Sequence, residues 1–288
     1  MSIRKINSHI AARANSLVTK MFVETAAKNY ILARWSYLNC CDLDFYWLSA
    51  QAVEKYLKAT LLFNDQPTIS YGHDIEKLYS AVLKLDPRID FGEITRPKQL
   101  NGIVAWTNET FSGFIHRLND MGDPNNRYML YGYVLRGDEL YKLDQIIWQL
   151  HRYCRPLRDI VSRKGLNQPD IEIDWVHFLK ENKNTFHIFG TLEELVRNKK
   201  KSDHALRQIF LKHNFAFAPR TARAPTIWRT ASANPPLVEL FTTLKNPNAP
   251  FQSRSDAANV FRWLLENVYI SPKDRKIIES ALQSFKKA

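Results

Sequence analysis

The sequence predicts an all-α protein: an antiparallel helical bundle of four to five helices followed by a smaller, mainly helical C-terminal domain. Three observations carry this. Apolar residues recur at steps of three and four through successive segments, the spacing of one helical face. Only 9 of the 288 residues are glycine, too few for a turn-rich all-β architecture. Hydrophobic residues make up 45% of the chain and aromatic residues 12%, and a chain this long divides naturally into two modest cores.

Residues 11–40 open the bundle, with Leu17, Val18, Met21, Phe22, Ala26, Tyr30 and Ile31 on one face and no proline to interrupt them. A second helix over residues 43–63 carries Phe45, Leu48, Ala52, Tyr56, Ala59 and Phe63 in a stripe, and Asn64-Asp65-Gln66-Pro67 stops it. The short connection makes this pair antiparallel. Asp74 is placed to cap a short third helix over residues 75–85, which Pro87 ends. Residues 100–118 hold enough apolar side chains for one more helix or a packed loop. The last long helix runs through Leu140, Leu143, Ile147, Leu150, Cys154 and Leu157, with Pro156 kinking or shortening its end.

Residues 161–170 (VSRKGLNQPD) have the polarity of a linker, which sets the domains at 1–162 and 163–288. Beyond it the helices shorten. Thr191 to Glu194 reads as a capping box, Ser202 and Ser255 as caps, and Pro272 as a first helical residue. Residues 215–236, rich in Pro, Ala, Arg and Thr, read as a long exposed loop.

The three cysteines, Cys40, Cys41 and Cys154, have neither a disulfide framework nor zinc-knuckle spacing. With no signal-like N-terminus and no apolar run of about 18 residues, the expectation is a soluble, cytoplasmic protein that binds no membrane, metal or cofactor. Phosphate-loop, zincin, dinucleotide-fold and nucleophile-elbow motifs are missing. The formal charge is +12, unevenly spread: residues 1–160 hold 20 Lys/Arg against 17 Asp/Glu, and residues 161–288 hold 21 against 12. Such an excess suits a polyanionic partner.

Three elements of the first half resemble those of the HEPN domain family. Leu48-Ser-Ala-Gln-Ala-Val-Glu-Lys-Tyr-Leu-Lys-Ala-Thr-Leu-Leu62 is similar to the family's second-helix signature, Gly72-His-Asp-Ile-Glu-Lys-Leu78 to its His-Asp element, and Asn126-Arg-Tyr128 to the arginine segment before its last long helix. Their order and spacing cover roughly residues 10–160. The resemblance implies a homodimer in which Arg127 and Asn126 of both copies line a shared cleft for RNA or a nucleotide.

Family members that cleave RNA pair this arginine with a histidine four to six residues on. Arginine holds the phosphate as charge grows on it, and histidine, which titrates near neutrality, moves the 2′-hydroxyl proton. Here residues 128–134 read Tyr-Met-Leu-Tyr-Gly-Tyr-Val. Tyrosine, with an ordinary pKa near 10, is a poor proton acceptor at neutral pH. The candidate catalytic set is therefore Arg127, Asn126, Tyr131 and Tyr133, a degenerate motif with weak or no ribonuclease activity. His116 and His73 have plain structural readings, the first as a surface or hydrogen-bonded residue and the second as a helix-start residue. Arg127 could equally anchor helices through Glu54, which shares a charged face with Lys55 and Lys58.

Between residues 197 and 229 nine Lys/Arg and one acid alternate with Phe210, Phe215, Phe217 and Trp228. Cations that follow phosphates and rings that stack bases are what single-strand binding needs, while a solvated charged turn at residues 198–201 and a short core helix over residues 205–211 give the same letters. The candidate nucleic-acid contacts are Lys199, Lys200, Lys201, Arg207, Arg220 and Arg223. Two other classes stay open: a metal-independent endoribonuclease of a toxin or phage-defence system, and a non-catalytic dimerisation scaffold that docks a protein partner on its C-terminal region.

Overall fold

The computed structural model of the chain describes residues 8–123, 133–165, 168–182, 190–197, 204–225, 231–270 and 272–287. In chain order the elements are α1 (Ser8–Val18), a π-helical turn (Thr19–Val23), α2 (Glu24–Leu38), α3 (Asp42–Phe63), α4 (Ile75–Leu83), α5 (Phe111–Met121), β1 (Tyr133–Leu135) and α6 (Glu139–Tyr153). There follow β2 (Ile160–Gly165), β3 (Gln168–Asp174), α7 (Trp175–Glu181), α8 (Thr191–Arg197), α9 (His204–Leu211), β4 (Ala231–Ala233), α10 (Pro235–Lys245), α11 (Phe251–Asn267) and α12 (Pro272–Lys287). The protein is mostly helical, and no helix among the described residues is long and apolar enough to cross a membrane.

The chain forms two compact units, one of Met1–Gly122 with Gly137–Arg229, the other of Asp123–Arg136 with Thr230–Ala288. The first is a helical bundle. Helices α2 and α3 run antiparallel, because Tyr37 meets Phe45 near the turn (ring centroids 5.2 Å apart) while Lys55 reaches Asn29 at the far end. Helix α6 runs alongside α3 in the same direction, with Tyr56 against His151 and Thr60 against Cys154. Helices α4 and α5 are antiparallel, pairing the Ile75 amide with Asn119 and the Tyr79 ring with Phe111. Gly122 ends α5 where it crosses α3, and a methyl group there would sit 2.4 Å from the Ala50 side chain and 2.9 Å from the Tyr46 carbonyl.

Local chemistry sets most of the boundaries. Asp74 and Thr110 cap α4 and α5, accepting the Lys77 and Gly113 amides at 3.0 Å. Pro156 lies three residues past the end of α6, which is shortened as expected; residues 154–159 are an irregular connection and β2 begins at Ile160. The expected linker at 161–170 is mostly the β2–β3 hairpin, in antiparallel register from Ile160↔Asp174. Its polar letters are those of a two-stranded ribbon, and the described residues up to 225 belong to the same compact unit as the bundle. The boundary at 162 therefore does not coincide with the division into compact units. Asp174 then caps α7 through the His177 amide at 2.8 Å.

Three further expectations change. Thr191 is the first residue of α8 rather than its cap, since the Glu194 amide bonds the Gly190 carbonyl. Ser255 lies inside α11, which starts a turn earlier because Pro250, in extended conformation, stands at its cap position. Residues 215–236 are not one exposed loop: Phe215 and Phe217 are buried, and the stretch ends in β4 and the start of α10. Ser202 lies outside the described residues.

In the second unit β1 pairs antiparallel with β4, Tyr133 opposite Ala233 and Leu135 opposite Ala231. Asn234 caps α10, whose first residues are prolines, and helices α10 to α12 close over Leu237, Leu244, Ala258, Phe261, Ile278 and Leu282.

Candidate functional site

Of the expected catalytic residues, Asn126, Arg127 and Tyr131 lie outside the described residues, and Tyr133 is placed by its backbone in β1. Lys199, Lys200 and Lys201 also lie outside them. Arg220 and Arg223 are exposed on the segment after α9, whereas Arg207 on α9 is half-buried with its Nε shielded from solvent.

The His-Asp element is structural in its contacts. Gly72 takes φ +56° and ψ −121°, a conformation that side chains resist, and its carbonyl accepts the Lys58 ammonium at 2.6 Å. His73 sets Nδ1 3.1 Å from both carboxylate oxygens of Glu54, which also takes Lys58 at 2.6 Å. Asp74 caps the next helix. Burial draws its carboxyl upward, but the bonds from Lys77 outweigh that and leave it below the usual range. Three consecutive residues thus fix one turn against α3. Glu54 and Lys58, read as part of a solvated charged face, are instead a largely buried ion pair. His116 is exposed, 3.0 Å from Glu76, as a surface histidine should be.

The sequence reading missed the polar centre of the bundle. Arg34, buried, pairs with Asp144 and donates to the Ile209 and Lys212 carbonyls at the end of α9. Tyr30 donates to the same Asp144 oxygen at 2.6 Å and accepts from Asn214 at 3.0 Å. Asn214 also receives the Phe217 amide, so α2, α6 and the segment after α9 are tied at one point. Burial holds the Asp144 carboxyl above the ordinary range although Arg34 and Tyr30 oppose it. Its Oδ2 has no hydrogen-bond partner among the described residues. The signal was present in the letters: Arg34 and Asp144 interrupt the apolar faces of two helices, where a charge needs a partner.

This tie shapes a groove of about 560 Å³ along one face of α6. Tyr141, Asp144, Gln145, Trp148 and Gln149 line it at helical spacing, facing Phe215, Phe217 and Pro219. Phe217 meets Trp148 edge-on at 5.1 Å and Phe210 at 5.0 Å, and Phe215 lies 5.9 Å from Tyr141. The far wall is Glu93, Thr95, Pro97 and Gln99. It is fixed by Gln145, whose amide accepts from the Thr95 amide at 3.0 Å and donates to the Thr95 carbonyl at 2.8 Å. Lys98 and Arg220, each next in sequence to a lining proline, are exposed. The interior offers rings, amides and carboxylates, and the neighbouring surface offers cations.

A second charged network braces the start of α6. Arg117 takes both oxygens of Glu139 at 2.8 and 2.9 Å and bonds Glu109, while Lys142 reaches Glu109 at 2.9 Å and Asp138 at 3.0 Å. Burial raises the Glu139 carboxyl; Glu109 is also raised by burial, but Arg117 and Lys142 bring it below the usual range. Among the described residues no three His, Cys, Asp or Glu side chains gather as a metal site.

No protein-family model, curated protein or solved structure matches this chain.

Proposed function

We propose that the chain is a HEPN-like, homodimeric protein that binds RNA or a nucleotide and has weak or no ribonuclease activity. The observation that carries this reading is the α6 groove. Its volume suits a small organic ligand; flat rings with amides and the Glu93 and Asp144 carboxylates inside match a base and its N–H donors, and the exposed Lys98 and Arg220, next in sequence to lining prolines, match phosphates held outside. The meeting of Glu54 with His73 supports the family resemblance, because it joins two of the three elements that suggest it. Weak chemistry follows from residues 128–134, which hold no histidine, and from the engagement of His73 and His116 with carboxylates.

The test is binding and cleavage of RNA by the purified full chain at two salt concentrations. Binding should weaken as salt rises, and should fall for Arg127→Ala and for neutralisation of Lys199, Lys200 and Lys201. Affinity indifferent to all of these removes the proposal. Metal-independent cleavage that Arg127→Ala abolishes would instead promote the endoribonuclease reading.

A further inference from the structure

Helix α1, the π-turn and α2 form one long helical segment whose inner face packs on the bundle. Its outer face is unusually apolar. Leu17 is 61% exposed, Met21 59%, Leu32 49% and Trp35 43%, and between them lie the partly exposed Glu24 and the exposed Lys28. The six residues follow one another at steps of three and four, so they form a continuous stripe rather than scattered exposed side chains. Four large apolar side chains left in water on a single helix face mark a surface that another molecule covers.

The order of residues along the stripe says what covers it. Read in either direction it is apolar, apolar, charged, charged, apolar, apolar, and the two charges are opposite in sign. Laid antiparallel on a second copy about a twofold axis near Ala26, Leu17 falls against Trp35, Met21 against Leu32, and Glu24 against Lys28. Each pair then occurs twice, as an isologous contact requires. In a parallel arrangement Glu24 would face Glu24 and Lys28 would face Lys28, which repels. The Lys20 ammonium, 2.7 Å from Glu24 in its own chain, leaves the second carboxylate oxygen free of any hydrogen bond described.

We propose that a second copy of this chain occupies the stripe, with the helical segment Ser8–Leu38 packed antiparallel against its twin. This names a surface for the dimer that the functional reading includes, but it stands on the exposed face alone and needs no RNA binding.

The experiment is light scattering and sedimentation equilibrium on the full chain over a range of concentrations, with RNA affinity measured in parallel. Wild type should be a dimer. Leu32→Glu with Trp35→Glu, both at exposed positions, should raise the dimer dissociation constant by about tenfold or more, the loss expected of central apolar anchors. Glu24→Lys should weaken the dimer several-fold, about the effect of the two exposed ion pairs it turns into repulsions, and adding Lys28→Glu should restore it. Circular dichroism melting of each variant shows that the fold is kept. A monomeric wild type, or a dimer unmoved by the double glutamate variant and by the charge reversal, overturns the proposal. A stripe-dependent dimer without RNA affinity keeps this interface and removes the RNA-binding part of the functional reading; RNA affinity in a monomer overturns this interface and the homodimer together and keeps the RNA binding alone.

Discussion

Arg34 of α2 and Asp144 of α6 are paired out of reach of solvent, their side chains 0% and 1% exposed. Removing either partner strands a charge in the core. Asp144→Ala should lower stability by about 3–5 kcal/mol, whereas Arg34→Met with Asp144→Leu should cost much less, because no unpaired charge remains. Chemical denaturation of the three proteins decides this, and equal losses for single and double variants would contradict it.

Gly72 has open space around its missing side chain but a positive φ. Gly72→Ala should therefore destabilise by backbone strain alone, about 1–3 kcal/mol, without a steric clash. An unchanged melting temperature would show that the turn relaxes freely.

Arg88 clamps Asp86 and Asp174, each at 2.6 Å. Its bonds depress the Asp86 carboxyl; burial lifts Asp174, but Arg88 and the His177 amide bring it below the usual range. A carboxyl depressed by folding stabilises the fold above its ordinary value and loses that contribution as pH falls through the folded value. Wild type should exceed Arg88→Ala in stability at neutral pH, and the gap should close in acid, below the ordinary aspartate value of 3.8. Denaturant midpoints over a pH series test the sign; a constant gap would assign the effect of Arg88 to packing.

Ala216 lines the groove between Phe215 and Phe217 and is only half-buried. Ala216→Trp should fill the groove and abolish nucleotide binding, followed by titration calorimetry, while Arg220→Ala should weaken binding and flatten its salt dependence. Binding retained in the filled groove would move the ligand elsewhere.

Burial pushes the Cys154 thiol up to about 12, and Cys40 is exposed. A disulfide reagent should modify Cys40 quickly and reach Cys154 only after unfolding, since the thiolate is the reacting form. Mass spectrometry of the partly labelled protein identifies the order.

The helices of the bundle were legible because their apolar spacing and their caps are local facts. Asp74 is an example, since its side chain and the amide it serves lie three residues apart. The β2–β3 ribbon was not legible, because Ser162, Arg163 and Lys164 look like a linker until Ile171 and Glu172 are opposite them. The groove was half legible. Phe215 and Phe217 stand out in the sequence as rings among cations, but their burial depends on Asn214 reaching Tyr30 across 184 positions of sequence. The Arg34 pair spans 110 positions and was hidden for the same reason.

The short ribbon of the second unit joins Tyr133–Leu135, which precede α6, to Ala231–Ala233, which follow everything the bundle contains. On the ribosome the earlier strand emerges with its edge unsatisfied and waits while the rest of the bundle is made. A nascent chain can complete its first core during that interval, but not its second. Any message cut short of codon 231 yields a bundle that carries a bare strand, the kind of edge that quality control and self-association both recognise.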